Sequence, residues 1–175
     1  IRTTGIETQD ILSVADDLAR DLMGTPRIAR SSSEAPCRIV LRPIQDYTNE
    51  RWDADALGSQ FRSELLRFCQ GKIDFLYRTL EENQAGIDPA IQTEQKMKSA
   101  GVVDTGPDAA QKGADFFLVG EVREHVVSSG SGRDQATFFF FHLVDVGTSS
   151  IVWDKSYGPI RKETLKSSLY QRESR

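Results

Sequence analysis

The sequence predicts an α/β (α+β) fold: a single mixed β-sheet of about five strands with helices packed on it. Three observations predict it. Helix-like and strand-like apolar periodicities alternate through the first part of the chain. The remainder carries three strand-length apolar stretches separated by Ser- and Gly-containing turns. The length of 175 residues, with 38% apolar and 27% charged side chains, suits one domain with a real core.

Ile11, Leu12, Ala15, Leu18, Ala19 and Leu22 recur at helical spacing and predict a helix over Thr8–Met23. Thr8 or Glu7 can cap its start, Asp10 suits its positive first turn, and Gly24 with Thr25-Pro26 ends it. A linker with Ser31-Ser32-Ser33 follows. Arg38–Ile44 is a β-branched apolar run read as a buried strand, with Pro43 near its end where a missing N–H is tolerated. Gln45–Arg51 reads as a polar loop. Asp53–Gln70 reads as a helix with Leu57, Phe61, Leu65 and Phe68 facing one way, and Gly71 ends it. Ile73–Tyr77 reads as a second strand. In Leu80–Ser99, Asp88-Pro89 suggests a helix start, with the carboxylate as cap and proline at the first helical position. A loop precedes it and a helix runs on to Ser99. Pro107–Lys112 reads as a helical turn or two, closed by Gly113.

Asp115–Val127, Ala136–Asp145 and Ser150–Tyr157 read as the last three strands. Ser128–Asp134 joins the first two as a flexible hairpin loop, and Val146–Ser149 joins the last two as a tighter turn. Lys162–Gln171 suggests a short final helix. The first two strands, linked by a helical crossover, are expected to be parallel, and the last three form an antiparallel meander. The expected organisation is one domain over 1–175, with an N-terminal helix and linker in 1–35 and the sheet core in 36–175.

Composition excludes several functions. The formal net charge of -4, with no basic stripe, argues against nucleic acid. No apolar run approaches the roughly 20 residues that span a bilayer. The chain begins at Ile1 rather than Met, as expected of a mature or trimmed fragment. Cys37 and Cys69 are expected to be separate buried thiols, with a disulfide between them left open. No CxxC motif occurs and there are only two histidines, so no metal site is expected. No G-x-S-x-G elbow, P-loop, H-E-x-x-H or strand-linked G-x-G-x-x-G is present. Asp16-Asp17 and Glu81-Glu82 read as solvated faces. The expectation is a non-enzymatic protein without a cofactor.

The long hairpin is the informative local feature. A turn near Ser131-Gly132 would set Glu121 opposite His142, Arg123 opposite Phe140 and His125 opposite Phe138, all on one face. Phe116, Leu118, Val122 and Val126 would meet Phe139, Phe141 and Leu143 on the other, which is the core face. Arg123, His125, Phe138 and Phe140 are the candidate partner interface, because aromatic residues and arginine dominate interface hot spots. Ordinary cross-strand pairing, with Arg123 stacked over Phe140, is the alternative. Cover from the first helix or the tail is another. Glu121 and His142 suggest an acid/base pair, but nothing near them in sequence supplies a nucleophile, oxyanion hole or metal.

Three stretches carry a resemblance. Thr4-Gly5-Ile6-Glu7-Thr8-Gln9-Asp10-Ile11 resembles the "TGIESQD" opening of LpoB-type domains. Gly113–Val122 resembles their "GADYxLxGxV" strand. Leu143–Trp153, followed by Tyr157, resembles their "VDLxSGxIVW" hairpin, with Gly147-Thr148-Ser149 where the family has a Glu-Ser-Gly-like turn. The middle motif is shared with TolB N-terminal domains and CsgG-like secretion proteins, and the three in order resemble the LpoB group. Each motif also has a structural reason: Gly113 turns a helix end into a strand, Gly120 allows close approach, and Trp153 and Tyr157 anchor the last strand.

The resemblance implies a TolB N-terminal-domain-like fold and a periplasmic lipoprotein domain, anchored to the outer membrane through a lipidated cysteine upstream of these residues. It implies a monomer that binds a class A penicillin-binding protein. Binding would stimulate the glycosyltransferase and transpeptidase activities of that enzyme in peptidoglycan biosynthesis, and so affect cell wall and cell shape. A structural component of a CsgG-like outer-membrane secretion or assembly system is the alternative, and would form higher oligomers.

Overall fold

The computed structural model describes residues 7–49, 52–78, 89–103, 112–130 and 132–165. In chain order the elements are α1 (Thr8–Gly24), α2 (Pro26–Ala29), β1 (Cys37–Leu41), β2 (Gln45–Tyr47), α3 (Ala54–Phe68), β3 (Ile73–Phe75), α4 (Pro89–Ser99), β4 (Phe116–Ser129), β5 (Gly132–Asp145) and β6 (Ile151–Leu165). They build one mixed six-stranded sheet of order β3-β1-β4-β5-β6, with β2 alongside β4 beyond the end of β1. The crossover strands β1 and β3 are parallel, as expected, and β4, β5 and β6 form the antiparallel meander.

Helices α1 and α3 form where the sequence places them because cap and stripe agree, whereas the short α2 lies in the stretch read as a linker. Glu7 and Asp10 make a reciprocal capping box at the start of α1. Asp53 caps α3 by accepting the N–H groups of Asp55 and Ala56. Both helices lay their apolar stripes on one sheet face, against Leu118, Val122, Phe139, Phe141 and Leu143. Phe61 of α3 sits 5.5 Å from the Phe139 ring and 5.3 Å from the Phe141 ring. On the opposite face α4 covers one end only, over Val40, Phe117, Val144 and Val146. Glu94 pins α4 there, accepting both Nε and Nη2 of Arg78 at 3.1 and 3.2 Å and the Ala114 N–H at 2.6 Å.

Four further expectations are corrected. The polar stretch after β1 contains a strand, β2, whose Gln45 and Tyr47 pair with Glu121 and Arg123. Its side chains carry no apolar alternation, because backbone pairing to β4 holds it. The Ser128–Asp134 stretch is not a free loop, since β4 runs to Ser129 and β5 starts at Gly132. The turn is therefore tighter, and the register lies two residues from the predicted one: Glu121 opposes Phe140, Arg123 opposes Phe138, and His125 opposes Ala136. A two-residue shift leaves every side chain on its predicted face. Finally, β6 continues through Leu165, so Lys162 begins no helix.

Residues 166–171 of the expected tail helix lie outside the described residues, as do the expected loop over 80–88 and the turn over 107–111. Both cysteines are free and buried. Burial, aided by Asp115, pushes the Cys37 thiol up to about 12, and burial pushes the Cys69 thiol up to about 11. Neither is a thiolate at neutral pH, so neither is a nucleophile. Gly120 behaves as expected: a Cβ there would sit 2.5 Å from the Phe141 ring.

Candidate functional site

The candidate site is the sheet face that α1 and α3 leave free, at the end that α4 does not reach. Strand alternation aims Glu121, Arg123 and His125 of β4 onto it, with Phe138, Phe140 and His142 of β5 beside them. Pairing of β2 with β4 adds Tyr47 next to Arg123. The Arg123 guanidinium lies 4.5 Å over the Tyr47 ring. Its Nε donates to Glu121 Oε1 at 2.8 Å and its Nη2 to Oε2 at 3.4 Å. The hydrogen bond and charge of Glu121 raise the Arg123 pKa further above its ordinary value. Phe138 and Phe140 stack with ring centroids 6.2 Å apart. Tyr47 is 56% exposed. Arg123 and His125 are exposed as well, and the two phenylalanines are half-buried.

A bulge positions Phe138. The β5–β6 register shifts between Thr137 and Phe139, where Gly158 and Pro159 intervene on β6. Gly158 has φ +110°, and a Cβ there would stand 2.7 Å from the Thr137 carbonyl oxygen. Only glycine lets β6 come this close beside Phe138.

All four predicted interface residues share this face, with one change in their contacts. Arg123 stacks on Tyr47 rather than Phe140, because its cross-strand neighbour is Phe138. Tyr47 itself escaped the sequence reading; its only signal is an aromatic residue within a polar run. The supposed Glu121–His142 pair does not form across the strands. Glu121 bonds Arg123, while His142 opposes Val119 on β4 and Asp154 on β6. Among the described residues no group of three or more His, Cys, Asp or Glu is placed to hold a metal ion. The arrangement can bind a surface through stacking, charge and apolar contact.

The family model of the peptidoglycan-synthase activator LpoB matches residues 10–157. The chain belongs to the LpoB family. Among solved structures, it is similar to the LpoB C-terminal domain from Salmonella enterica, with a TM-score of 0.54 at 12% identity over 90% of this chain and 99% of that one. The LpoB C-terminal domain from Escherichia coli matches with a TM-score of 0.47 at 14% identity, over 84% of this chain and 96% of that one. Lipoprotein GNA1162 from Neisseria meningitidis matches with a TM-score of 0.39 at 14% identity, over 74% and 85%. No curated protein matches the sequence significantly. The Salmonella LpoB domain shares the fold seen here, one mixed sheet with packed helices. LpoB is a family of regulatory activators rather than enzymes.

Proposed function

We propose that this LpoB domain activates a class A penicillin-binding protein by docking on it through the Tyr47, Arg123, His125, Phe138 and Phe140 face. It acts from the periplasm, as a monomer held to the outer membrane by a lipidated N-terminus. The observation that carries the docking surface is the pairing of Arg123 over Tyr47 beside the Phe138–Phe140 stack on an exposed face. Arginine and aromatic side chains are the residue types on which binding energy concentrates. Glu121 holds the Arg123 fork in place before contact, which lowers the ordering cost of binding. Activation then follows by linkage. Each tenfold preference for the active over the inactive synthase supplies about 1.4 kcal/mol toward the active state.

The test pairs a direct binding measurement against the matching synthase with a lipid II polymerisation assay. Phe138→Ser with Phe140→Ser, and separately Arg123→Glu, are expected to weaken binding and stimulation at least about tenfold. The native protein neither binding nor stimulating would sink the activator reading. Full binding by both variants would remove the docking face and leave the activator reading standing.

A further inference from the structure

The far side of the sheet carries an open edge, independent of the face just described. Strand β6 ends the strand order, and among the described residues nothing pairs with its outer side. The unpaired backbone groups of such an edge are a template for an added strand. The opposite edge, β3, has only three residues. Edge strands are usually guarded by charge, yet the first two residues of β6 are exposed and aliphatic: Ile151 is 59% and Val152 45% exposed. Pro159 lacks an N–H, which confines a usable edge to 151–158.

Beside this stretch lies a cleft of about 560 Å³, walled by Trp153, Phe116, Val152 and Pro26. The Trp153 indole N–H is committed to Thr25 Oγ1 at 3.0 Å, so the ring is a fixed wall. Four cations line the same cleft, and they differ in availability. Arg27 is held by Asp115 at 2.6 Å and Lys155 by Asp21 at 2.5 Å. Among the described residues Arg20 pairs with Asp16 alone, at 2.5 Å within α1, but its side chain is 73% exposed, and solvated i,i+4 pairs of this kind exchange readily. Arg30 gives its Nε to the Pro26 carbonyl at 3.1 Å and has no carboxylate partner among the described residues. Arg20 and Arg30 therefore present forks suited to carboxylates.

From the open edge, the cleft and these two exposed guanidinium forks together, we infer that an extended acidic segment of a partner protein adds to β6 along 151–158. It seats an apolar side chain against Trp153 and gives carboxylates to Arg20 and Arg30.

The test uses the isotopically labelled domain and a blocked heptapeptide, Thr-Glu-Thr-Phe-Thr-Glu-Thr, whose alternation puts both carboxylates and the ring on one face. Controls are the same peptide with Lys for Glu and one N-methylated along its backbone. Saturable binding of the acidic peptide is expected, with amide shifts centred on 151–158 and quenching or enhancement of Trp153 fluorescence in a Trp52→Phe background. Arg20→Glu with Arg30→Glu should weaken it at least about tenfold, and both control peptides should bind at least about tenfold more weakly. Arg123→Glu should leave it unchanged, which separates this result from the synthase-docking test. The inference is overturned by absent saturation, by equal binding of acidic and basic peptides, by shifts confined to the Phe138–Phe140 face, or by self-association through β6.

Discussion

Replacing Glu94 with alanine should cost about 3 kcal/mol of stability and release α4 from the sheet. The carboxylate is 1% exposed and accepts three hydrogen bonds, two from Arg78 and one from the Ala114 N–H. Removing one partner of such a buried pair costs about 3–5 kcal/mol. The lower end applies because the Arg78 side chain is 22% exposed and keeps its bonds to the Tyr77 and Lys112 carbonyls. The Ala114 N–H, in a fully buried residue, would be orphaned, which accounts for about 1–3 kcal/mol of the total. For a chain of this size the loss corresponds to a fall in Tm of about 6–12 °C. Urea denaturation followed by circular dichroism measures it, and hydrogen exchange should show faster opening of α4. Glu94→Gln keeps one acceptor and should fall between. Arg78→Met combined with Glu94→Met should recover much of the single-variant loss, since no unpaired charge remains. A loss under about 0.5 kcal/mol for Glu94→Ala, or strict additivity of the two single replacements, would refute the pin.

Other expectations follow from single contacts. Asp21 of α1 accepts Lys155 Nζ at 2.5 Å and the Tyr157 hydroxyl at 2.6 Å. Burial alone would raise its pKa, but these two bonds and the Lys155 charge outweigh burial and lower it. Its contribution is therefore full above about pH 4 and lost as pH falls through the lower folded value, so Asp21→Asn should flatten the acid limb of a denaturation-midpoint profile. Burial and then the Asp21 bond raise Tyr157, so its contribution is full below about pH 10 and fades above it; Tyr157→Phe should flatten that limb. Gly120→Ala drives a methyl into the Phe141 ring and should cost about 1–3 kcal/mol by denaturant titration, with part regained by Phe141→Leu. Ser149 holds φ +58°, so Ser149→Gly should stabilise by about 0.5 kcal/mol, the relief of left-handed strain exceeding the added chain entropy. An unchanged midpoint would place no strain there.

The Ser149 geometry sits at a departure visible in the sequence. The family hairpin carries glycine at the third turn position, and this chain places glycine at Gly147 instead. In this chain the positive φ lies at Ser149, two residues after Gly147, while Asp145 ties the turn by accepting the Thr148 N–H at 3.1 Å.

Features that repeat with a short period were legible in the amino-acid order alone. The stripes and caps of α1 and α3, the two faces of the long hairpin, and thus the grouping of Arg123, His125, Phe138 and Phe140, follow from spacings of 3.6 and 2. Tertiary structure decided what depends on partners distant in the chain. The hairpin register shifted by two because Ser- and Gly-rich turn residues fit several turn lengths, and alternation cannot tell shifts of two apart. The strand β2, and with it Tyr47 over Arg123, exists through backbone pairing to residues more than 70 positions away. The extension of β6 likewise rests on its ladder to β5, since its later residues are charged. The cleft beside β6 gathers residues from α1, α2, β4, β5 and β6. Local patterns report which way a side chain points, and only the packed chain reports what it meets.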